Sequence, residues 1–332
     1  MVRNREKAGL PILEQFPTAA NKVLARKLHK DYPDLWLDVE KARFWVRLKR
    51  GAAGEKQRQT STAKQYQQPL RKPGDPFGKL PESLAELEDT SAYHLECEKC
   101  LVLADVHLPF HDEEATRVAL EYGKRAEVDA IVLLGDLMDC YSISRWVTDP
   151  RMRNLAKELD AARQFLEMLR EAWPDAKIIY KAGNHEKRWE SYLYCRAPDL
   201  VGVPDFEMDK VLRLADMNIV WLDRMRHIKL GRLNMVHGHE FGVSAYSPVN
   251  AARGLFMRAK AISMCGHFHQ SSQHSETTME DHNIACWSVG TLGDLHPRYR
   301  RYNTRWNNGF ALVNMTGGFR VQNMRIIKGE VY

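Results

Sequence analysis

Ala130-Ile131-Val132-Leu133-Leu134 runs straight into Gly135-Asp136-Leu137-Met138-Asp139. Five apolar residues without alternation read as a strand buried on both faces, of the kind found inside parallel sheets. A glycine then lets the chain turn, and two carboxylates follow within four residues. Upstream, Leu101-Val102-Leu103-Ala104 is a similar run that leads to Asp105 and His107, with a helix over about 113–125 between the two strands. Downstream, an amphipathic helix over about 154–172 leads to Lys177-Ile178-Ile179-Tyr180 and then to Gly183-Asn184-His185-Glu186. Strands alternating with helices predict a parallel sheet covered by helices. After Ile219 the pattern changes. Ile228–Leu230 and Leu233–Val236 read as a hairpin about Gly231-Arg232, and Phe310–Asn314 and Arg320–Ile327 as another about Gly317-Gly318. Ala261–Cys265 reads as a further strand. The expectation is a mixed α/β sandwich.

The polar residues collect where these strands end. His237-Gly238-His239 follows the first hairpin, and Gly266-His267-Phe268-His269 follows Cys265. Open α/β sheets place ligands outside the carboxyl ends of their strands. Asp, His and Asn offer oxygen and imidazole nitrogen without thiolate, a set suited to manganese, iron, zinc or similar divalent ions. In D-x-H and H-x-H, side-chain alternation puts two ligands on one side of an extended segment. One ion cannot use all these groups; two ions sharing a carboxylate can.

The order Asp105-Val106-His107, Gly135-Asp136-Leu137-Met138-Asp139, Gly183-Asn184-His185-Glu186, His237-Gly238, Gly266-His267-Phe268-His269 resembles the calcineurin-like metallophosphoesterases, over about residues 98–327. The resemblance implies a four-layer α/β sandwich of two mixed β-sheets flanked by helices. It implies Asp105, His107 and His269 as ligands of one metal, Asn184, His237 and His267 as ligands of the other, and Asp136 as the bridging carboxylate. It implies His185 as the acid that protonates the leaving oxygen, with Glu186 as its orienting partner and Asp139 as a supporting acid. Glu186 stands where many members carry aspartate. The cofactors implied are two divalent ions, manganese first, with Fe, Zn, Ni or Mg as alternatives. Ions about 3.5–4 Å apart would bind a phosphate and activate a bridging water for in-line attack. Arg188 and His239 are candidate substrate contacts. So are Arg300 and Arg301, in a stretch (Arg298-Tyr299-Arg300-Arg301-Tyr302, then Arg305-Trp306) that interleaves bases with aromatics as a strand-binding rim would.

The remaining chain bears on substrate and setting. Its 332 residues are 44% hydrophobic and 28% charged, ordinary for a globular protein. No apolar run approaches the about 18 residues that span a bilayer, and the basic start at Met1–Leu10 has no apolar run behind it, so a cytoplasmic protein is expected without membrane contact. The six cysteines then read as free thiols, Cys97-Glu98-Lys99-Cys100 included. Residues 1–80 carry 18 lysines and arginines against 8 acids, a net of +10, which leaves −4 for the rest of a chain whose total is +6. Residues 1–54 read as a small basic module. One helix, capped by Thr18 or Asn21, runs to about Lys30, with Val23, Leu24 and Leu28 on one face. A second runs over Asp38–Arg50, with Val39, Ala42, Phe44, Val46 and Leu48 on its apolar side and Lys41, Arg43, Arg47, Lys49 and Arg50 on its basic one. That is the outline of a helix-turn-helix. Residues 55–97 read as a polar linker, and 98–332 as the phosphoesterase domain. Phosphate contacts by Lys and Arg dominate non-specific affinity for nucleic acid, so a nuclease of the phage or bacterial DNA-processing kind is the leading expectation. The alternatives are a phosphatase or small-molecule phosphodiesterase acting on phosphoprotein or nucleotide, and a DNA-binding or scaffold protein with a vestigial metal site. Protein partners are not legible.

Overall fold

The computed structural model describes residues 2–50, 89–223, 225–242, 249–298 and 305–332. The chain divides into two compact units, Met1–Glu86 and Leu87–Tyr332.

The first unit contains α1 (Val2–Gln15), α2 (Asn21–Asp31) and α3 (Val39–Lys49). The first of these was not expected, because Pro11 inside it reads as a helix breaker. Asp38 caps α3, its carboxylate accepting from the Lys41 amide at 2.7 Å. The core is Leu24, Ala25 and Leu28 from α2, Ala42, Trp45 and Val46 from α3, Ile12 from α1, and Trp36 between helices. Trp36 meets Trp45 edge-on at 5.2 Å. Val23, Phe44 and Leu48 are exposed, contrary to the sequence reading. Phe44 and Leu48 were grouped with Val46 at a spacing of two, which a helix does not bring to one face. Arg50, expected on the basic face, folds back. Its guanidinium donates to the carbonyls of Phe16, Pro17 and Ala19 and to the Asn21 side chain. Asn21 is therefore engaged inside α2 and does not cap it.

The expected linker, 55–97, lies mostly outside the described residues. Its last part is strand: β1 (Tyr93–Leu95) opens the second unit. There follow β2 (Lys99–Leu103), α4 (Glu113–Ala126), β3 (Ala130–Leu134), α5 (Leu155–Ala172), β4 (Lys177–Lys181), α6 (Lys187–Arg196), α7 (Met208–Val211), β5 (Ile219–Leu222), β6 (Ile228–Leu230), β7 (Leu233–Val236), α8 (Ala251–Ala259), β8 (Ser263–Cys265), β9 (Ser272–Thr277), β10 (Asn283–Ser288), β11 (Asn308–Asn314), β12 (Arg320–Ile327) and β13 (Glu330–Val331). One sheet has the order β13-β12-β11-β2-β3-β4-β5, with β2 to β5 parallel. The other has the order β1-β6-β7-β8-β10-β9 and is also mixed.

Alternation along the central strands builds the layers. Leu101, Leu103, Ile131, Leu133, Ile178 and Tyr180 face α4 and α5 in one core. Cys100, Val102, Ala104, Ala130, Val132, Leu134 and Ile179 face the second sheet in another, against Leu230, Met235 and Met264. On that sheet's far side α8 packs Ala252 and Leu255 on Cys265 and Cys286. The result is the four-layer α/β sandwich. Both faces of β2 and β3 are buried, which is why their sequences show no polar alternation. No helix among the described residues is long and apolar enough to cross a membrane.

Trp36 is fully buried, and truncating a buried aromatic costs about 3–5 kcal/mol, a large share of what three short helices can hold. Trp36→Ala is expected to open new protease cuts within residues 2–50 while the fragment spanning 89–332 stays resistant. Unchanged resistance throughout would show that the Trp36–Trp45 contact does not hold the first unit together.

Candidate metal centre

Strands β2, β3, β4, β7 and β8 all deliver polar residues to one place. The loops after β2 and β3 run side by side, joined by amide donation from Asp105 to Gly135 (3.1 Å), His107 to Asp136 (3.0 Å) and Leu108 to Leu137 (2.8 Å). Asp105, His107, Asp136, His267 and His269 all have left-handed backbone, φ +52 to +66°. Each such non-glycine residue costs of order 1–3 kcal/mol unless its surroundings hold it. The surroundings do: the Asp105 carbonyl accepts from Thr291 Oγ1 (2.6 Å) and the Leu292 amide (3.1 Å). The motif glycines leave room for the ligands themselves. A Cβ on Gly183 would overlap the Asp136 carboxylate, and one on Gly135 the His237 ring.

The described donors form three groups, of which His107, Asp139 and His185 share His107 with the first and the other two hold the expected ligands. Ligand atoms of Asp105, His107 and His269 lie within 4.8 Å of one another, as do those of Asp136, His237 and His267. In the first, His107 Nε2 and His269 Nε2 are 3.1 Å apart, and Asp105 Oδ1 is 3.2 Å from His269 Nε2. Asp105 Oδ1 is buried without a hydrogen-bond partner. Two imidazole lone pairs and a bare carboxylate oxygen converging in a buried place are what a divalent cation satisfies. In the second, His237 Nε2 lies 3.3 Å from Asp136 Oδ2 and 3.2 Å from Asn184 Oδ1. Its Nδ1 donates to the Leu134 carbonyl at 2.8 Å, which leaves Nε2 for a metal. The two groups are tied together by Asp105 Oδ2, which accepts from the His267 amide at 2.8 Å; Asp136 Oδ1 accepts from the His185 amide at 2.8 Å. The residues present therefore fit a pair of divalent ions, and all seven expected ligands meet here.

The electrostatics agree. Burial opposes ionisation of Asp136, yet the His185 and His237 rings outweigh it and hold the carboxyl well below its usual range. Burial likewise opposes charge on His237, but Asp136 raises it to about 10. The carboxylates thus favour positive charge at His237 and His107, whereas burial opposes it on the His267 ring beside them.

Asp139 takes its expected supporting place, with Oδ2 3.3 Å from His107 Nδ1 and Oδ1 3.6 Å from Arg188 Nη1. His185 sits at the edge of the cluster. Its Nδ1 donates to the Asp139 carbonyl at 2.7 Å, and Arg188 Nη2 donates to its Nε2 at 2.8 Å. Burial, then His107 and Arg188, outweigh Asp136 and lower the His185 pKa to about 3. Glu186 departs from the expectation. Rather than touching His185, its carboxylate accepts from the amides of Asp136 (3.0 Å), Met138 (3.2 Å) and Gly183 (2.7 Å) and from the Tyr180 hydroxyl (2.8 Å). As the residue that leads into α6 it turns inward beneath the loops, and the Asp139 carbonyl does the orienting. His239 lies beside the second group, its ring 5.3 Å from His237, and burial lowers it to about 4. Arg300 and Arg301 lie outside the described residues.

The sequence reading missed Lys181 and Glu240. Lys181, the last residue of β4, is fully buried and pairs with Glu240 at 3.1 Å. Glu240 accepts from the amides of His237 (3.1 Å) and Gly238 (2.6 Å) and so fixes the turn that carries a ligand. A lysine ending a buried strand signals a partner. It also missed Thr291, while Trp306, read from the sequence as part of the strand-binding rim, has its ring 4.3 Å from that of His269.

A sequence profile of the calcineurin-like phosphoesterase family matches residues 99–271, just over half of the chain. The Gene 54 protein of Mycobacterium phage L5 is 28% identical over 231 residues, which cover 66% of this chain and 89% of that protein. Its counterpart in phage D29 is 26% identical over the same span. Among solved structures, YfcE, a phosphoesterase from E. coli, is 15% identical with a TM-score of 0.36, covering 70% of this chain and 96% of its own. Vps29 from Entamoeba histolytica, complexed with zinc, is 12% identical with a TM-score of 0.38, covering 70% and 96%.

Burial opposes charge on Glu240, but Lys181 and the nearby histidines hold its pKa at about 2, below the ordinary 4.5. A depressed carboxyl contributes stability that is present above the unfolded value and lost as pH falls through the folded one. Lys181→Met strands the Glu240 charge, at about 3–5 kcal/mol, and lets its pKa rise. The acid-unfolding midpoint, followed by circular dichroism, is expected to move to higher pH. A midpoint equal to that of the unaltered protein would contradict the assignment of this pair.

Proposed function

The chain belongs to the calcineurin-like phosphoesterases, and on that premise we propose that it is a dimetal hydrolase that cuts phosphodiesters of nucleic acid. The observation that carries the reading is the pair of joined donor groups, Asp105–His107–His269 and Asp136–Asn184–His237–His267, with His185 at their edge. Two divalent ions, manganese first by the mixed oxygen and nitrogen donors, would supply Lewis acidity to the phosphate and activation of the attacking water.

The other steps belong to side chains of this chain. Asp136 groups with His237 and His267, and its carbonyl accepts from the His107 amide at 3.0 Å, so its carboxylate is the one the two ions would share. His185 presents Nε2 at the cluster's edge, 3.8 Å from Asp136 Oδ2, with the ring aimed by the Asp139 carbonyl. Arg188 rests on that nitrogen, and burial, helped by His107 and Arg188, keeps the ring neutral. An entering phosphate offers Arg188 a stronger acceptor. If the guanidinium turned to it, Nε2 would be free to take a proton from solvent, favoured by the phosphate's charge, and the imidazolium would pass that proton to the leaving alkoxide.

The net +10 of residues 1–80 supports nucleic acid as the substrate. Within the described part, Lys41 pairs with Asp38, Arg43 with Glu40 and Lys49 with Glu6. Exposed pairs of this kind are worth at most about 1 kcal/mol, so phosphates can displace the acids.

The test compares labelled single- and double-stranded DNA, a bis-aryl phosphodiester and an aryl phosphomonoester, after chelation and with manganese restored. DNA and the diester are expected to be cut only with metal. Asp136→Asn is expected to fall to background, and near-normal turnover would sink the shared-carboxylate assignment. His185→Ala should retain metal and lose about 10²–10⁴-fold in rate, most for poor leaving groups. Hydrolysis of the monoester alone, with DNA untouched, would overturn the nucleic-acid reading and leave a phosphatase.

A further inference from the structure

The chain after Asp139 holds exposed groups that the metal centre does not use. Its first turn is anchored. The buried Glu158 carboxylate accepts from the Tyr141 amide (2.7 Å), the Ser142 amide (2.9 Å) and the Ser142 hydroxyl (2.5 Å). Tyr141 Oη accepts from the Asp149 amide at 2.8 Å, which closes the loop on itself. The Tyr141 ring also rests 5.2 Å from Phe110, three residues beyond the ligand His107. The loop is thus a fixed ledge beside the site.

Its outer part does not pack. Trp146 is 65% exposed and Val147 fully so. The Arg145 guanidinium lies over the Trp146 indole, 5.0 Å from its centroid. Arg151 and Arg153 follow, and Arg298 reaches the same ledge by donating to Met152 Sδ at 3.8 Å. Arg151 takes up Asp149. Arg153 donates only to the Thr148 hydroxyl and carbonyl. Among the described residues here, four arginines face one aspartate. Exposing a tryptophan on an anchored loop is costly for a protein with nothing to place on it.

We propose that the ledge Arg145–Arg153, together with Arg298, is a docking rim for single-stranded nucleic acid, with Trp146 stacking a base while the arginines hold its phosphates. This rests on the nucleic-acid reading of the metal centre and adds strand type and contact residues to it. Every base has a face that an aromatic ring can cover, and arginine suits phosphate oxygens. A duplex keeps its base faces stacked inside and offers Trp146 nothing comparable. The four-to-one excess of arginine argues for a polyanion over an apolar protein surface.

The experiment uses the full chain in chelator, with fluorescent oligothymidylate and a duplex of equal length. An iodouracil-substituted strand is photo-crosslinked in parallel. Trp146→Ala and Arg153→Ala are compared with the unaltered protein, and manganese-dependent turnover of the bis-aryl diester serves as the folding control. Trp146→Ala is expected to weaken single-strand binding about tenfold, within the range for one stacked base, with the duplex shifted less than twofold and diester turnover unchanged. The crosslink should map to the tryptic peptide Trp146–Arg151. Unaltered single-strand affinity in Trp146→Ala, with the crosslink elsewhere, overturns the rim and leaves the nuclease reading standing. Turnover of the diester by a protein that neither binds nor cuts DNA overturns both.

Discussion

Beneath the metal centre lies a carboxylate that touches neither metal group. Glu186 is buried, and four donors converge on it: the amides of Asp136, Met138 and Gly183 and the Tyr180 hydroxyl. Burial and the nearby Asp136 charge push its pKa up, while those donors pull the other way. A buried anion is tolerable only when its lone pairs are filled. Filling them here ties the end of β3, the turn that follows it and the end of β4 to a single point. Asp136 and Asn184, both donors of the second group, stand next to that point. A neutral or shorter group at 186 could not reach and hold all four donors.

That anchor explains how the site carries its strain. Five ligand positions have left-handed backbone, and none is glycine. Asp and His tolerate the region better than most residues, yet each still costs free energy. Every strained residue is held from outside its own loop: Asp105 by Thr291 and Leu292, His267 through its amide on Asp105, His269 through its carbonyl on Asn307, His107 through its amide on Asp136, and Asp136 through its amide on Glu186. Contacts from neighbouring loops thus fix the backbone of the ligands, which is what preorganised electrostatics require.

How much of this is legible in the sequence depends on whether a residue's reason is local. β2, β3 and β4 are legible because burial on both faces leaves an uninterrupted apolar run. The ligands are legible because each follows such a run. β9 is not: Ser272–Thr277 is a polar edge strand paired only with β10, and nothing in its composition separates it from a loop. Glu186 is visible as a functional acid but not as an inward one, since its neighbour in sequence, His185, is not its neighbour in space. Lys181 and Glu240 lie fifty-nine positions apart in the chain, and only the fold brings the lysine under the turn. The basic face assigned to α3 fails at Arg50 for the same reason, because the carbonyls it serves belong to the segment before α2.

The charge pattern links these layers to chemistry. Three acids contact the cluster, but only Asp105 and Asp136 are placed as ligands; Asp139 is matched by Arg188 and His107. Asn184 and the four histidine ligands are neutral when they bind metal. Two divalent ions would therefore exceed the ligand charge and leave the pocket positive, although the chain beyond residue 80 is acidic in sum. An anionic phosphoester would be drawn to such a pocket. Had an aspartate stood at 184, part of the attraction would be cancelled where the phosphate must sit. The amide keeps an oxygen donor for the second group without spending that charge, and Arg188 extends the positive region outward along the side from which His185 approaches.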